Sequence, residues 1–236
     1  MATFLMIHGA WHGGWCFEPL RESLQADGHV LLAPDLPGMG TGDATLNQWG
    51  DFVATVASSQ PEPVILCGHS RGGIVISEAA QRAPEAVAAL VYISAFLLPS
   101  GRSFFDEVRS VPRTAEFEAG LSVSADGKSL SISPHVAKNV LYQLTPPKIA
   151  ASACSKLVAE PLAPAVTPLN LSDQRYGSVS RHYIECTEDR ALLLAQQRFM
   201  HSAMPCQQVI ALRSDHSPFA SRPAELSAAL KRIVNG

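Results

Sequence analysis

The sequence predicts an α/β fold: a mostly parallel sheet flanked by helices, with a small helical cap inserted in the second half of the chain. Three observations carry this expectation. Short apolar runs of strand length alternate with stretches of helical spacing, which is the rhythm of β-α-β units. The runs are apolar along their whole length, as strands covered on both faces are. The rhythm then breaks between residues 96 and 177, where prolines and isolated aromatics crowd together.

Composition sets the bounds. At 236 residues, with 47% hydrophobic residues and a mean hydropathy of +0.10, the chain can bury one full core with room for an insertion. A formal net charge of −3 and a pI near 6.2 leave no basic footprint for nucleic acid. No apolar stretch approaches the ~20 residues that span a bilayer. The N-terminus lacks a basic region, and Phe4-Leu5-Met6-Ile7 is too short for a signal core. Five cysteines (Cys16, Cys67, Cys154, Cys186, Cys206), odd in number and mostly within apolar runs, read as free buried thiols. A cytoplasmic protein is expected, and the sequence leaves a homodimer open.

In chain order, Phe4-Leu5-Met6-Ile7 is a buried strand running into His8-Gly9-Ala10-Trp11-His12-Gly13-Gly14-Trp15. A glycine-rich loop at the C-terminal end of a buried strand lies where open α/β sheets bind ligands. His8 and His12 are expected to hold this loop by hydrogen bonds; as a zinc pair they lack a third ligand nearby. Residues 18–26 have helical spacing, stopped by Asp27-Gly28. Val30-Leu31-Leu32-Ala33 is the next strand. Its loop carries Gly38, Gly40 and Gly42, which fall short of a dinucleotide-binding pattern and follow two prolines. Asp35 is expected to stabilise this turn. Thr45 is placed to cap a helix through Trp49, Val53 and Val56.

Val64-Ile65-Leu66-Cys67 leads into Gly68-His69-Ser70-Arg71-Gly72-Gly73, and a helical pattern follows. A strand, Gly-x-Ser-x-Gly and a helix outline a nucleophile elbow, a turn so sharp that a Cβ at either glycine would collide with its neighbours. Leu90-Val91-Tyr92-Ile93 is another buried strand. Helical patterns inside the irregular stretch, Val136 to Leu144 and Ala150 to Leu157, make it a cap; residues 1–95 and 178–236 form the core. The strand rhythm resumes at His182-Tyr183-Ile184-Glu185-Cys186. A helix (Leu192 to Met200), the strand Gln208-Val209-Ile210-Ala211-Leu212 and a closing helix (Pro223 to Val234) complete the chain.

A serine hydroxyl needs a base, and an imidazole needs a carboxylate to orient it. Ser70, Asp189 and His216 occur in the chain order of such triads, each after a strand. Among the histidines, His216 alone sits in a loop directly after the last strand. His69, inside the elbow, is expected to point away from Ser70. Asp189 competes with Glu188 and Glu185; Glu185 lies within a strand, and Asp189 is preferred. The oxyanion of an ester's tetrahedral intermediate needs two donors. The backbone amide of Arg71 is one, and that of Ala10, in the first loop, is the choice for the other. The Arg71 side chain is expected to be structural or on the surface. Trp11 and Phe96 are candidates for lining the substrate pocket.

The motifs His8-Gly9-Ala10-Trp11-His12-Gly13-Gly14-Trp15, Gly68-His69-Ser70-Arg71-Gly72-Gly73, Leu141-Tyr142-Gln143-Leu144, Arg175-Tyr176-Gly177-Ser178-Val179, Tyr183-Ile184-Glu185-Cys186-Thr187-Glu188-Asp189 and Asp215-His216 resemble, in order and over nearly the whole chain, the plant methylesterase and hydroxynitrile lyase family of α/β-hydrolases, which includes salicylate-binding methyl esterases. The resemblance implies Ser70, Asp189 and His216 as triad, Ala10 and Arg71 as oxyanion hole, and small esters as substrates; the serine mechanism itself implies no metal or organic cofactor. The lyases of that family use a threonine in the first loop and a lysine after the catalytic histidine, where this chain has Gly9 and Ser217. Ester hydrolysis is therefore expected. Alternative readings are a lactonase or xenobiotic-ester hydrolase with the same triad, a lyase, and a non-catalytic small-molecule receptor.

Overall fold

The computed structural model describes residues 1–110 and 114–235 of the chain. Six strands form one parallel sheet: β1 (Thr3–Ile7), β2 (Val30–Leu32), β3 (Val64–His69), β4 (Val87–Ile93) and, after a long insertion, two more. The insertion holds three short strands of its own: β5 (Leu121–Val123), β6 (Ser129–Ile132) and β7 (Glu160–Pro161). The last two strands of the main sheet are β8 (Arg181–Cys186) and β9 (Gln208–Leu212), and its order is β2-β1-β3-β4-β8-β9.

The apolar runs explain why the sheet is central. Along β1, Phe4 and Met6 enter one buried cluster while Leu5 and Ile7 enter the other, and all four are fully buried. Neighbouring side chains on a strand point to opposite faces, so a strand without polar positions must be covered on both. Trp49 and Val53 of the helix Leu46–Ser58 cover one face together with Ile74 and Val75 of the helix Gly72–Arg82. Phe17, Phe219, Leu226 and Leu230 cover the other. Thr45 caps the first of these helices as expected: it accepts from the Gln48 amide at 3.2 Å, and Gln48 Oε1 returns the bond to the Thr45 amide at 2.8 Å.

The chain passes from β1 outward to β2 and then returns to the other side of β1 as β3, paired through Phe4↔Ile65 to Ile7↔Gly68. This reversal opens a crevice beyond the C-terminal ends of the strands. Three non-glycine residues with positive φ lie just after three strands there: Trp11 (62°) after β1, Ser70 (53°) after β3 and Ser94 (40°) after β4. Strained backbone of this kind persists only where the surroundings over-determine it.

Three local expectations are corrected. The insertion is not helical alone: β5, β6 and β7 form an antiparallel sheet, with pairs such as Leu121↔Ile132 and Leu130↔Glu160. Strands of two to four residues are too short to display alternation. Residues 18–26 do not form one helix: a 3-10 segment, Gly14–Leu20, carries Pro19 and gives way to an α-helix only at Arg21–Ala26. The helix after β8 begins at Leu194 rather than Leu192, because the Leu192 amide is engaged by the Asp189 carboxylate.

Glycines let the elbow helix sit against the sheet. A Cβ at Gly72 would lie 2.5 Å from the Ile7 carbonyl oxygen, and one at Gly73 would lie 2.4 Å from that of Phe96. Neither obstacle is a side chain that can rotate away. Gly73→Ala is therefore expected to destabilise the protein by about 2 kcal/mol or more in urea unfolding. Gly28→Ala, where φ is 76° but open space surrounds the site, should cost only the left-handed strain, about 1 kcal/mol.

Candidate active site

Ser70 is fixed by its main chain. Its amide donates to the Ile93 carbonyl at 3.2 Å, and its carbonyl accepts from the amides of Gly73 and Phe96, each at 3.0 Å. The elbow is thereby fastened to β4 and to the segment after it. The residue is 7% exposed.

Asp189 and His216, carried on the loops after β8 and β9, meet at 2.6 Å through Asp189 Oδ2 and His216 Nδ1. A carboxylate can only accept, so Nδ1 carries the proton of this bond. Asp189 Oδ1 accepts from the amides of Ala191 and Leu192 at 2.7 and 2.9 Å, and the Ser94 hydroxyl donates to Oδ2. The rival acids face elsewhere. Glu185 is paired with Arg198 at 2.9 Å and with His201 at 3.2 Å, while Glu188 points to Arg213 at the surface. Buried Gln197 splints the acid loop, its amide group bonding to the backbone of Cys186 on both sides and to the Leu192 carbonyl.

His69 does not simply point away. Its Nε2 donates to the His216 carbonyl at 2.7 Å, so the residue before the serine grips the main chain of the histidine. On the other side, buried Asp215 accepts from the Leu144 amide (2.9 Å), the Thr145 hydroxyl (3.0 Å), the Ser217 amide (3.1 Å) and the Ser221 hydroxyl (2.7 Å). This carboxylate joins the histidine loop to the insertion. Ser94, Gln197 and His69 were not assigned these roles from the sequence: Ser94 and Gln197 belong to no recognisable spacing, and the bond that His69 makes from within the elbow motif reaches a residue 147 positions away.

The first loop is held as expected, by its histidines. His8 Nε2 accepts from the Leu36 amide at 3.0 Å, which places the proton on Nδ1, where it is donated to the Gly9 carbonyl at 3.0 Å. His12 Nδ1 lies 2.6 Å from the Ala10 carbonyl and donates to it; Nε2 accepts from the Tyr142 hydroxyl, also at 2.6 Å. Burial lowers both rings, His8 to about 3 and His12 to about 4, and pushes His69 well below its ordinary value. Asp35 acts at longer range than the turn it was assigned to: its carboxylate accepts from the Gly14 amide at 2.7 Å. The Trp11 indole donates to the Leu130 carbonyl of β6 at 3.0 Å, and Phe96 packs edge-on against Phe104. Among the described residues, the amides of Ala10 and Arg71 have no acceptor within the chain.

The Arg71 side chain is fully buried, so the surface alternative for it is overturned. Nε donates to Glu160 Oε2 on β7 at 2.9 Å, Nη2 donates to the Gly9 carbonyl at 3.1 Å, and the guanidinium lies over the Trp49 ring at 4.2 Å. A buried guanidinium persists where a carboxylate and further acceptors offset its desolvation. Glu160 could not be found from sequence, since 89 residues separate the pair.

The chain matches the Alpha/beta hydrolase family over residues 4–229. It is 32% identical to Methylesterase 1 of Arabidopsis thaliana over 254 residues, covering 98% of this chain and 95% of that protein. It spans 63% of the length of a longer chloroplastic relative from the same plant. The crystal structure of polyneuridine aldehyde esterase superposes with a TM-score of 0.88 at 25% identity, covering 99% of both chains. A pyrethroid hydrolase from Sphingobium faniae superposes with a TM-score of 0.85 at 26% identity, covering 100% of this chain and 98% of that one. Among the described residues, no helix is long and apolar enough to cross a membrane.

The lowered histidines set an acid limit on stability. Each is neutral in the folded protein but titrates near 6.5 when unfolded, so below that pH the unfolded chain binds more protons. Their stabilisation is complete above pH 6.5 and is lost as pH falls toward 4, at up to about 1.4 kcal/mol per pH unit for each ring. Urea unfolding at stepped pH should show this slope, and His12→Asn should reduce it by the share of one ring.

Proposed function

The chain belongs to the alpha/beta hydrolase family and is related within it to the methylesterases, and from that premise we propose that it is a serine carboxylesterase for small or aromatic carboxylic esters. The observation that carries the reading is the 2.6 Å bond between Asp189 and His216, on a loop whose main chain is gripped by the neighbour of a serine at φ 53°. Ser70 Oγ attacks the ester carbonyl while His216 Nε2 takes its proton, and the Asp189 carboxylate stabilises the resulting imidazolium. The amides of Ala10 and Arg71 hold the oxyanion. Collapse of the tetrahedral intermediate passes the proton from His216 to the departing alcohol and leaves an acyl-enzyme. A water deprotonated by His216 then releases the acid and restores Ser70. None of these steps calls for a metal or an organic cofactor.

Residues 96–177 serve as the cap of this site. Ties from the insertion to the first loop, the elbow and the histidine loop support that role, as does the low exposure of Ser70. Excluding water strengthens the field of the two amides and protects the acyl-enzyme. Trp11 and Phe96 are its walls in this reading, which is supported by their place in the chain: Trp11 follows Ala10 directly, and the Phe96 amide is bonded to the Ser70 carbonyl. A bulky xenobiotic ester is the second substrate reading, favoured by the likeness to the pyrethroid hydrolase.

Ser70→Ala should abolish p-nitrophenyl acetate hydrolysis and labelling by a fluorophosphonate probe; turnover close to that of the parent enzyme would overturn the assignment. For the acid, Asp189→Asn should lower kcat by about 10⁴-fold, because the amide presents its donor to Nδ1 and favours the wrong tautomer. Glu188→Gln should leave kcat within about 2-fold, since its side chain is solvent-exposed and faces Arg213. The reverse pattern would move the acid to Glu188.

A further inference from the structure

The Gly9 carbonyl and the Ala10 amide are the two ends of a single peptide group. That group is planar, so fixing the direction of the carbonyl fixes the direction of the N–H on its opposite side. Two donors converge on the Gly9 oxygen: His8 Nδ1–H at 3.0 Å and Arg71 Nη2–H at 3.1 Å. The second is a buried cation whose own plane is set by Glu160 on one side and by the face of Trp49 on another. The peptide lies against the nucleophile, since a Cβ at Gly9 would be 2.8 Å from that of Ser70.

We propose that the Arg71 guanidinium is a positioning group for the oxyanion hole: it grips the Gly9 carbonyl so that the Ala10 N–H of the same peptide is aimed at the developing oxyanion. This residue then serves both donors of the hole, one through its own backbone amide and the other through its side chain. The inference rests on the esterase reading of Ser70. A tie between elbow and insertion would need only the bond to Glu160; the contact with Gly9 serves the loop. A charged donor on a carbonyl also polarises the peptide, making its N–H a stronger donor. The direction of both effects is the same. They act where charge appears in the transition state, and substrate in its ground state gains little from them.

The main variant is Arg71→Met/Glu160→Met, which removes both charges of the buried pair together; Arg71→Lys is made beside it, keeping a charge without the fork that reaches Glu160 and Gly9 together. The backbone amide of residue 71 is retained in both. With p-nitrophenyl acetate, the double variant should lose about 10-fold in kcat, and affinity for an aryl trifluoromethyl ketone, which forms a tetrahedral adduct, should fall in parallel. KM should stay within about 3-fold, the mark of an interaction made in the transition state. Arg71→Lys should show the same kcat-only loss to a smaller degree.

A folded double variant with kcat within about 3-fold of the parent, a loss confined to KM, or an unchanged inhibitor affinity beside a fallen kcat would each overturn the proposal. Ser70→Ala in the same assay separates the two readings. Full turnover by that variant overturns the esterase reading and this inference with it; an inactive Ser70→Ala beside an unaffected double variant overturns this inference alone.

Discussion

The site depends on how closely backbone approaches backbone at the elbow. Gly68, Gly72 and Gly73 leave no room for a Cβ, because carbonyls of β1, of the elbow itself and of the segment after β4 occupy that space. This contact holds Ser70 in its positive-φ conformation, and through it the ends of three adjacent strands converge. An elbow standing farther from the sheet would relax the strain and lower the serine into the surface. The glycines are therefore a steric requirement of the fold that fixes where chemistry can occur.

Around that point the polar side chains do unequal work. Asp189 and Asp215 are both buried carboxylates, yet they face different donor sets. Asp189 takes an imidazole, a hydroxyl and two amides, a set that fixes the orientation of the His216 ring. Asp215 takes four neutral donors, which tie together a loop junction. Arg71 and Glu160 form an ion pair with both members buried. Such a pair adds little net stability, but each member makes the loss of the other costly, by about 3–5 kcal/mol.

The main sheet was legible in the sequence because its strands are continuous apolar runs separated by helical spacing, a pattern that burial on both faces imposes. Ser70, Asp189 and His216 were legible as residues in a known order, and the contact between Asp189 and His216 follows that reading. The insertion was legible only as a break in rhythm. Its strands are too short to alternate visibly, and its partners lie far away along the chain. His69, Ser94 and Glu160 share that obscurity: each matters through a single bond to a residue distant in sequence. A histidine pattern read locally could show that His8 and His12 hold a loop, but not that Tyr142 would hold His12 in turn.

The bonds joining the insertion to the first loop and elbow link residues 119, 130 and 89 positions apart: Trp11 to Leu130, His12 to Tyr142 and Arg71 to Glu160. Contacts of such long separation carry a large loop-closure cost and form after the local parallel pairs have a framework to join. The alignment of the first loop beside Ser70 accordingly rests on contacts made across the insertion as well as on its own strand. A population can retain its sheet, and the circular dichroism of a folded protein, while its chemistry has already lapsed.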